Sequence, residues 1–253
     1  MLKEIVGTLS PPLGAVRVQG ADAVRFLQGQ LSNDMERAQA EEPLYAGLHN
    51  PQGRVIALLR LYALAPDDLL GILPRELAAP VAARLAKYVL RAKAKVTDAS
   101  SDSVFISSSV FAGSSAAQRI AAGLPQVYAA TSEQFVAQML NLDVIGAISF
   151  TKGCYTGQEV IARAHYRGRV KRRMQRFRTT RPAQLAIGAS GTLRDGRSFR
   201  VVEAIALDDG RCEFLAVAPI THGAEEASED AAGVGAAAVV EAEQLSLPYE
   251  LPA

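Results

Sequence analysis

The chain has 253 residues, 49% apolar and 21% charged, with a formal net charge of +1. Such a mixture predicts a soluble globular protein of one large or two modest domains with a real core. It excludes a membrane-spanning protein, since no apolar run approaches span length, and the N-terminal segment has no signal-peptide core, so a cytoplasmic location without membrane contact is expected.

Residues 15–18 read as a short strand, followed by a helix over 21–29 and a turn at Gln30-Leu31-Ser32-Asn33-Asp34. Residues 44–48 and 54–64 predict two strands joined by Asn50-Pro51-Gln52-Gly53, whose Pro-then-Gly order suits a tight turn. A turn at Pro66-Asp67-Asp68 precedes a strand over 69–73. Leu77, Val81, Leu85 and Tyr88 or Val89 mark one face of a helix over 75–91, which leads to a strand at 94–97. Strand, hairpin, helix and strand are the contents of a ferredoxin-like unit, so the fold class is α+β. The serine-rich stretch 99–115 carries Val104, Phe105, Ile106, Val110 and Phe111, which predict short strands and turns. Thr131 and Gln134 have capping-box spacing, and Phe135, Met139 and Leu142 would form the apolar stripe of the helix they open. Beyond Gly168 the pattern is strands at 174–178, 191–194, 200–207, 211–217 and 236–243, with hairpin signals at Asp195-Gly196 and Asp208-Asp209-Gly210. This predicts a small antiparallel β-barrel as a second domain, with an acidic, Ala- and Gly-rich insert at 223–235.

The densest chemistry lies between Ser149 and Met174. Lys152, Cys154, Gln158 and Glu159 fall close together, bracketed by Gly153 and Gly157, which permit backbone conformations closed to other residues. Val160, Ile161 and Ala164 fit a short helix after Gly157, with Gln158 and Glu159 in its first turn, where the dipole favours negative charge. A thiol beside that helix start and two residues from a lysine has two sources of thiolate stabilisation. On residue type alone a small buried hydrophobe is the favoured reading of Cys154. Cys212 is far away in sequence, so no disulfide framework is expected; His49, His165 and His222 are scattered and leave no zinc signature. A self-contained iron–sulfur cluster needs about four thiolates, more than the chain has. No metal site is expected. The basic run Arg163, Arg167, Arg169, Lys171, Arg172, Arg173, Arg176, Arg178 and Arg181 contains no acidic residue, whereas the chain after His222 contains no Lys or Arg. That polarity fits either an anion-binding face or solvated surface.

Lys-Gly-Cys-Tyr-Thr-Gly-Gln-Glu, residues 152–159, resembles the signature octapeptide of the YgfZ family, folate-binding proteins related to the aminomethyltransferase, or T-protein, of the glycine cleavage system. Phe-Leu-Gln-Gly-Gln-Leu-Ser-Asn-Asp at 26–34, Asn-Pro-Gln-Gly-Arg-Val at 50–55 and the tail Leu-Pro-Tyr-Glu-Leu-Pro-Ala also resemble family motifs. The resemblance implies an aminomethyltransferase-type folate-binding domain over residues 1–167 and a C-terminal barrel over 168–253, with tetrahydrofolate as the cofactor. It places Glu159 on the pterin ring, where a carboxylate accepts two hydrogen bonds from the amino and ring N–H groups. Gln158 and Tyr155 would line the ligand, Arg169 and Arg172 are charge-based candidates for its glutamate tail, and Asn50 has a minor ligand role.

The function implied is that of an accessory protein supporting iron–sulfur cluster assembly or repair in client enzymes, including those that thiomethylate tRNA, with Cys154 and Lys152 as working residues and contact with tRNA only indirect. The alternative is a folate-dependent one-carbon transferase. Against it, the segment where aminomethyltransferases carry an aspartate reads Leu-Pro-Arg-Glu-Leu-Ala-Ala-Pro, with only Glu76 as a carboxylate. Direct RNA binding through the arginines ranks last, because only Tyr166 and Phe177 interleave with them as stacking aromatics.

Overall fold

The computed structural model describes residues 12–102, 115–168, 170–220 and 239–252. Among these, residues 12–102 and 126–168 pack as one unit, and residues 115–125 and 170–252 as another. The second unit therefore takes one helix from ahead of the expected boundary at 167/168. The predicted strands of the serine-rich stretch fall mostly at 103–114, outside the described residues, as do the acidic insert and Arg169.

In the first unit the strands are β1 (Leu13–Gln19), β2 (Leu44–His49), β3 (Val55–Ala65), β4 (Asp68–Pro74) and β5 (Lys95–Asp98). They form one antiparallel sheet in the order β2-β3-β4-β1-β5. Val55 to Tyr62 of β3 are all buried, as their near-continuous apolar run requires of a strand covered on both faces. Helix α1 (Ala23–Gln28) follows β1, and α2 (Arg75–Ala86) packs Leu77, Ala78, Val81, Ala82 and Leu85 against the sheet beside β1 and β5. Each fully buried leucine or valine contributes about 1.5–3 kcal/mol.

Two predicted helices differ from those observed. Helix α2 ends at Ala86, short of Arg91, because the N–H groups of Lys87, Tyr88 and Val89 bond three residues back, in the tighter 3-10 pattern that closes a helix. Tyr88 and Leu90 are exposed there, so no apolar face remains to extend it. The capping-box helix at Thr131 does not form. Glu133 adopts a left-handed φ of 60°, incompatible with a first helical turn, and its N–H donates to the Val55 carbonyl at 2.8 Å. Val55 N–H in turn donates to the Phe135 carbonyl at 2.8 Å, so this segment runs beside the start of β3 and yields only a 3-10 turn at Ala137–Leu140. The local capping preference is weaker than a sheet edge with open hydrogen bonds.

The second unit contains α3 (Ala116–Ala122), opened by a capping box between Ser115 and Gln118 that the sequence reading missed. Its strands are β6 (Arg172–Thr179), β7 (Ser190–Leu193), β8 (Ser198–Ala206), β9 (Cys212–Pro219), β10 (Val239–Val240) and β11 (Ala242–Leu245). The order β10-β7-β8-β9-β6-β11 puts the last two strands at opposite edges, although only Glu241 separates them in the chain. One segment thus pairs with both edges and nearly closes the sheet into a barrel. The expectation of purely antiparallel pairing is corrected at one place: β10 runs parallel to β7, because a closing segment that pairs antiparallel with β6 meets the other edge in the opposite sense. Phe177, Phe199 and Phe214 fill the interior, with Phe214 stacked 5.4 Å from Phe177 and tilted at 43° to Phe199, 5.6 Å away.

Candidate functional site

Cys154 is exposed, at the crest of the loop between Phe150 and helix α4 (Gln158–Arg167). The entry to this loop is stitched to the turn that follows α1. Ser32 Oγ donates to the Ala147 carbonyl and accepts from Gly47 N–H, both at 2.8 Å, while Asn33 Nδ2 donates to the carbonyls of Tyr45 and Gly146, also at 2.8 Å. Lys152 completes the seam. Its ammonium donates to the carbonyls of Gln28, Leu31 and Asn33 at 2.6, 2.7 and 2.7 Å. All three protons are therefore used on the turn, and the Lys152 ammonium serves as an anchor for the loop that presents Cys154. Burial pulls its pKa down to about 8, with the Asp34 carboxylate partly countering.

The exit of the loop is fixed against the β2–β3 hairpin. Gly157 has φ +83°, and a Cβ there would meet the Asn50 carbonyl oxygen at 2.6 Å, the Gly53 Cα at 3.1 Å and the His49 Cβ at 3.2 Å. Only glycine permits that approach. Gly153 has open space around it and no such constraint. Helix α4 follows as the spacing predicts, but it buries only Ile161 fully, and Gln138 Nε2 holds it by donating to the Ile161 carbonyl at 2.7 Å. Segments 26–34 and 50–55, distant in sequence, thus hold the two ends of the 149–159 loop that carries the exposed thiol.

The remaining predicted site residues divide. Glu159 is exposed in the first turn of α4 and makes no hydrogen bond or ion pair among the described residues, which leaves its carboxylate open to a ligand. Gln158 is half-buried beside it. Tyr155 points inward: its ring lies 5.3 Å from Lys152 Nζ and 6.1 Å from the His49 ring, and burial pushes its hydroxyl up to about 12. It is packed as a wall. Asn50 is occupied by the hairpin, its Oδ1 accepting from the N–H groups of Gln52 and Arg54 at 3.0 Å and its Nδ2 donating to Glu133 at 3.2 Å. Arg172 lies in the second unit, where its guanidinium donates to Ser198 Oγ at 2.9 Å and to the Ser198 carbonyl at 3.0 Å. Arg169 is outside the described residues. Much of the basic run is strand β6 and its exit: Arg176 and Arg178 pair with Glu213 at 2.5 and 3.0 Å, and Arg181 with Glu241 at 3.3 Å.

The sequence reading missed His49. It is 1% exposed, beside Tyr155, and neither ring nitrogen has a hydrogen-bond partner among the described residues. Desolvation lowers its pKa to about 3, the nearby Gly47 backbone offsetting this slightly without a hydrogen bond of good geometry. The only sequence signal was its place just before the Asn-Pro-Gln-Gly turn. Two clefts, one lined by Ile56, Leu77, Val81, Arg84 and Glu133, the other by Gln175, Gln244 and Tyr249, take in none of the loop residues. Among the described residues no cluster of His, Cys, Asp and Glu suits a metal ion, and no helix is long and apolar enough to cross a membrane.

A Haemophilus influenzae protein of uncharacterised function is 30% identical over 229 residues, 76% of this chain and 82% of its own. The tRNA-modifying protein YgfZ of Escherichia coli O45:K1 is 26% identical over 258 residues, 77% of this chain and 79% of its own. The chain belongs to the YgfZ family. The YgfZ of Klebsiella pneumoniae strain 342 is 43% identical over a shorter stretch of 99 residues, 38% of this chain and 30% of that protein. No family model matches the sequence. The structure of glycine cleavage system aminomethyltransferase T from Bartonella henselae superimposes with a TM-score of 0.62, covering 82% of this chain and 76% of its own at 13% identity. This YgfZ-family chain therefore has the aminomethyltransferase T fold, at an identity that speaks for the fold alone.

Proposed function

We propose that this YgfZ-family protein binds tetrahydrofolate and acts as an accessory factor in the assembly or repair of iron–sulfur clusters in client enzymes, including those that thiomethylate tRNA, with Cys154 as its working thiol. The observation that carries the proposal is the convergence of two further motifs on the loop that carries that exposed thiol, its entry held by Lys152 and its exit by Gly157. Relatives bearing the name tRNA-modifying protein supply the link to tRNA modification. The strand order, with β2 as an added edge strand, supports reading residues 12–102 as a ferredoxin-like unit.

Glu159 fits the pterin by its donor set: an open carboxylate accepts the amino and ring N–H groups in parallel. Gln158 adds an amide beside it. Tyr155 and Asn50 do not fit as direct ligands, since packing and the hairpin turn occupy them. Bound tetrahydrofolate supplies a carrier for one-carbon units. The chain's own contribution is to orient the ring by Glu159 and to hold the thiol loop against it.

Replacement of Cys154 by alanine should abolish thiomethylated tRNA nucleosides, measured by mass spectrometry in cells that depend on this protein, with folate affinity within about two-fold of wild type. Retained modification would remove the thiol from the mechanism. Glu159→Gln should weaken tetrahydrofolate binding in calorimetry on the order of ten-fold or more, the cost of a lost charge-assisted pair; equal affinity would place the pterin elsewhere.

A one-carbon transferase is the second reading, favoured by the fold it shares with aminomethyltransferase T. Glu76, the carboxylate at the place of the transferase aspartate, instead accepts the Ala129 N–H at 2.6 Å. A glycine-cleavage assay with lipoylated carrier protein separates the two, and robust turnover would favour the transferase.

A further inference from the structure

We propose that the face formed by exposed His165 and Tyr166 over half-buried Phe150, flanked by Arg163 and Arg167, binds single-stranded RNA by stacking a base on Tyr166. Phe150 and His165 lie nearly parallel, their ring centres 3.9 Å apart at 17°, and Tyr166 stands across both, 4.8 Å from His165 at 81° and 5.9 Å from Phe150 at 69°. The rings brace one another, yet Tyr166 remains 68% exposed. A braced aromatic with a free face accepts the face of any nucleobase, and such stacking is worth about 1–3 kcal/mol per base.

Charge points to the same occupant. Arg163 and Arg167 are one helical turn apart, about 6 Å along the axis, and make no ion pair among the described residues. Further along the same basic run Arg176, Arg178 and Arg181 are taken up by Glu213 and Glu241, so the positive charge left for a polyanion in the described part of α4 is carried by these two. The single carboxylate of α4, Glu159, sits in the first turn, about two turns from Tyr166. A base-stacking platform beside two phosphate-pairing arginines favours unstacked RNA over a duplex, whose bases offer no free face. It also favours RNA over an acidic peptide, which would use the arginines but not the ring. The loop carrying Cys154 runs from Phe150 to the start of α4, so a base held here lies at the margin of the thiol loop. Counting aromatics along the sequence paired Tyr166 with Phe177, but Phe177 is 1% exposed in the barrel core; the partners are Phe150, distant in sequence, and His165.

The test uses the purified full-length chain and 5′-labelled oligouridylate and oligoadenylate of about twelve nucleotides in fluorescence anisotropy at several salt concentrations. Binding of the single strands in preference to a duplex of equal length is expected. Tyr166→Ala should weaken it on the order of ten-fold while Tyr166→Phe retains it. Combined Arg163→Gln and Arg167→Gln should lower affinity and flatten the log–log salt slope by about 1.4, two phosphate contacts on a single strand. The proposal is overturned by equal affinity for duplex, by an unchanged Tyr166→Ala, or by retention on anionic vesicles or polyglutamate without RNA binding. Because Tyr166 is largely in solvent, unchanged melting of its variants is the check that any loss is one of binding.

Discussion

Replacing Glu203 with alanine should lower the unfolding free energy of the unit comprising 115–125 and 170–252 by about 3–5 kcal/mol, read from the urea transition. Arg119 of α3 and Glu203 of β8 form a bidentate pair, one bond from Nε to Oε2 at 3.1 Å and a second from Nη2 to Oε1, with side chains only 8% and 1% exposed. Removing Glu203 takes from the buried Arg119 guanidinium the carboxylate that neutralises it, and this penalty, not the worth of the pair, sets the size of the effect. The double replacement Arg119→Met with Glu203→Met should recover most of the loss, since a well-packed apolar pair often matches a buried ionic one. A single Glu203→Ala loss below about 1 kcal/mol would mean that water reaches the pair.

Acidification should destabilise the first unit through His49. The folded-state pKa is near 3 because burial disfavours the imidazolium, while the unfolded value is the ordinary 6.5. Between those values the unfolded chain binds a proton that the folded chain refuses. The contribution of neutral His49 is therefore fully present above pH 6.5 and is lost as pH falls toward 3, at about 1.4 kcal/mol per pH unit. His49→Leu should remove this slope and leave stability at pH 7 equal or higher, since it also removes two buried nitrogens without partners. Denaturant titrations of wild type and variant at pH 7, 5.5 and 4.5 measure it. An identical slope in both proteins would show that the ring is hydrated or paired in solution.

How far the sequence was legible depended on the range of the forces involved. The β2–β3 hairpin is encoded by Asn50 to Gly53 and the start of α4 by Gly157, both local backbone preferences, and they form as read. The helix expected at Thr131 was equally local in its signal but failed, because a neighbouring strand end with open hydrogen bonds is the stronger competitor. The barrel strands were visible in their alternation; that residues 239–245 pair with both edges was not, since closure is a relation between strands distant in the chain.

The candidate site divides along the same line. Composition and motif by themselves determined the family, the α+β class and the segment that carries the thiol, because those rest on residue identity and short-range periodicity. Only the tertiary structure decided that Lys152 spends its charge on the 28–33 turn, that Asn50 is tied into the hairpin turn, that Tyr155 packs beside Lys152 and His49, and that Tyr166 stands against Phe150 and His165. A side chain's chemistry is written in its own formula, whereas its role depends on which partners long-range packing brings within about 3 Å of its donors and acceptors.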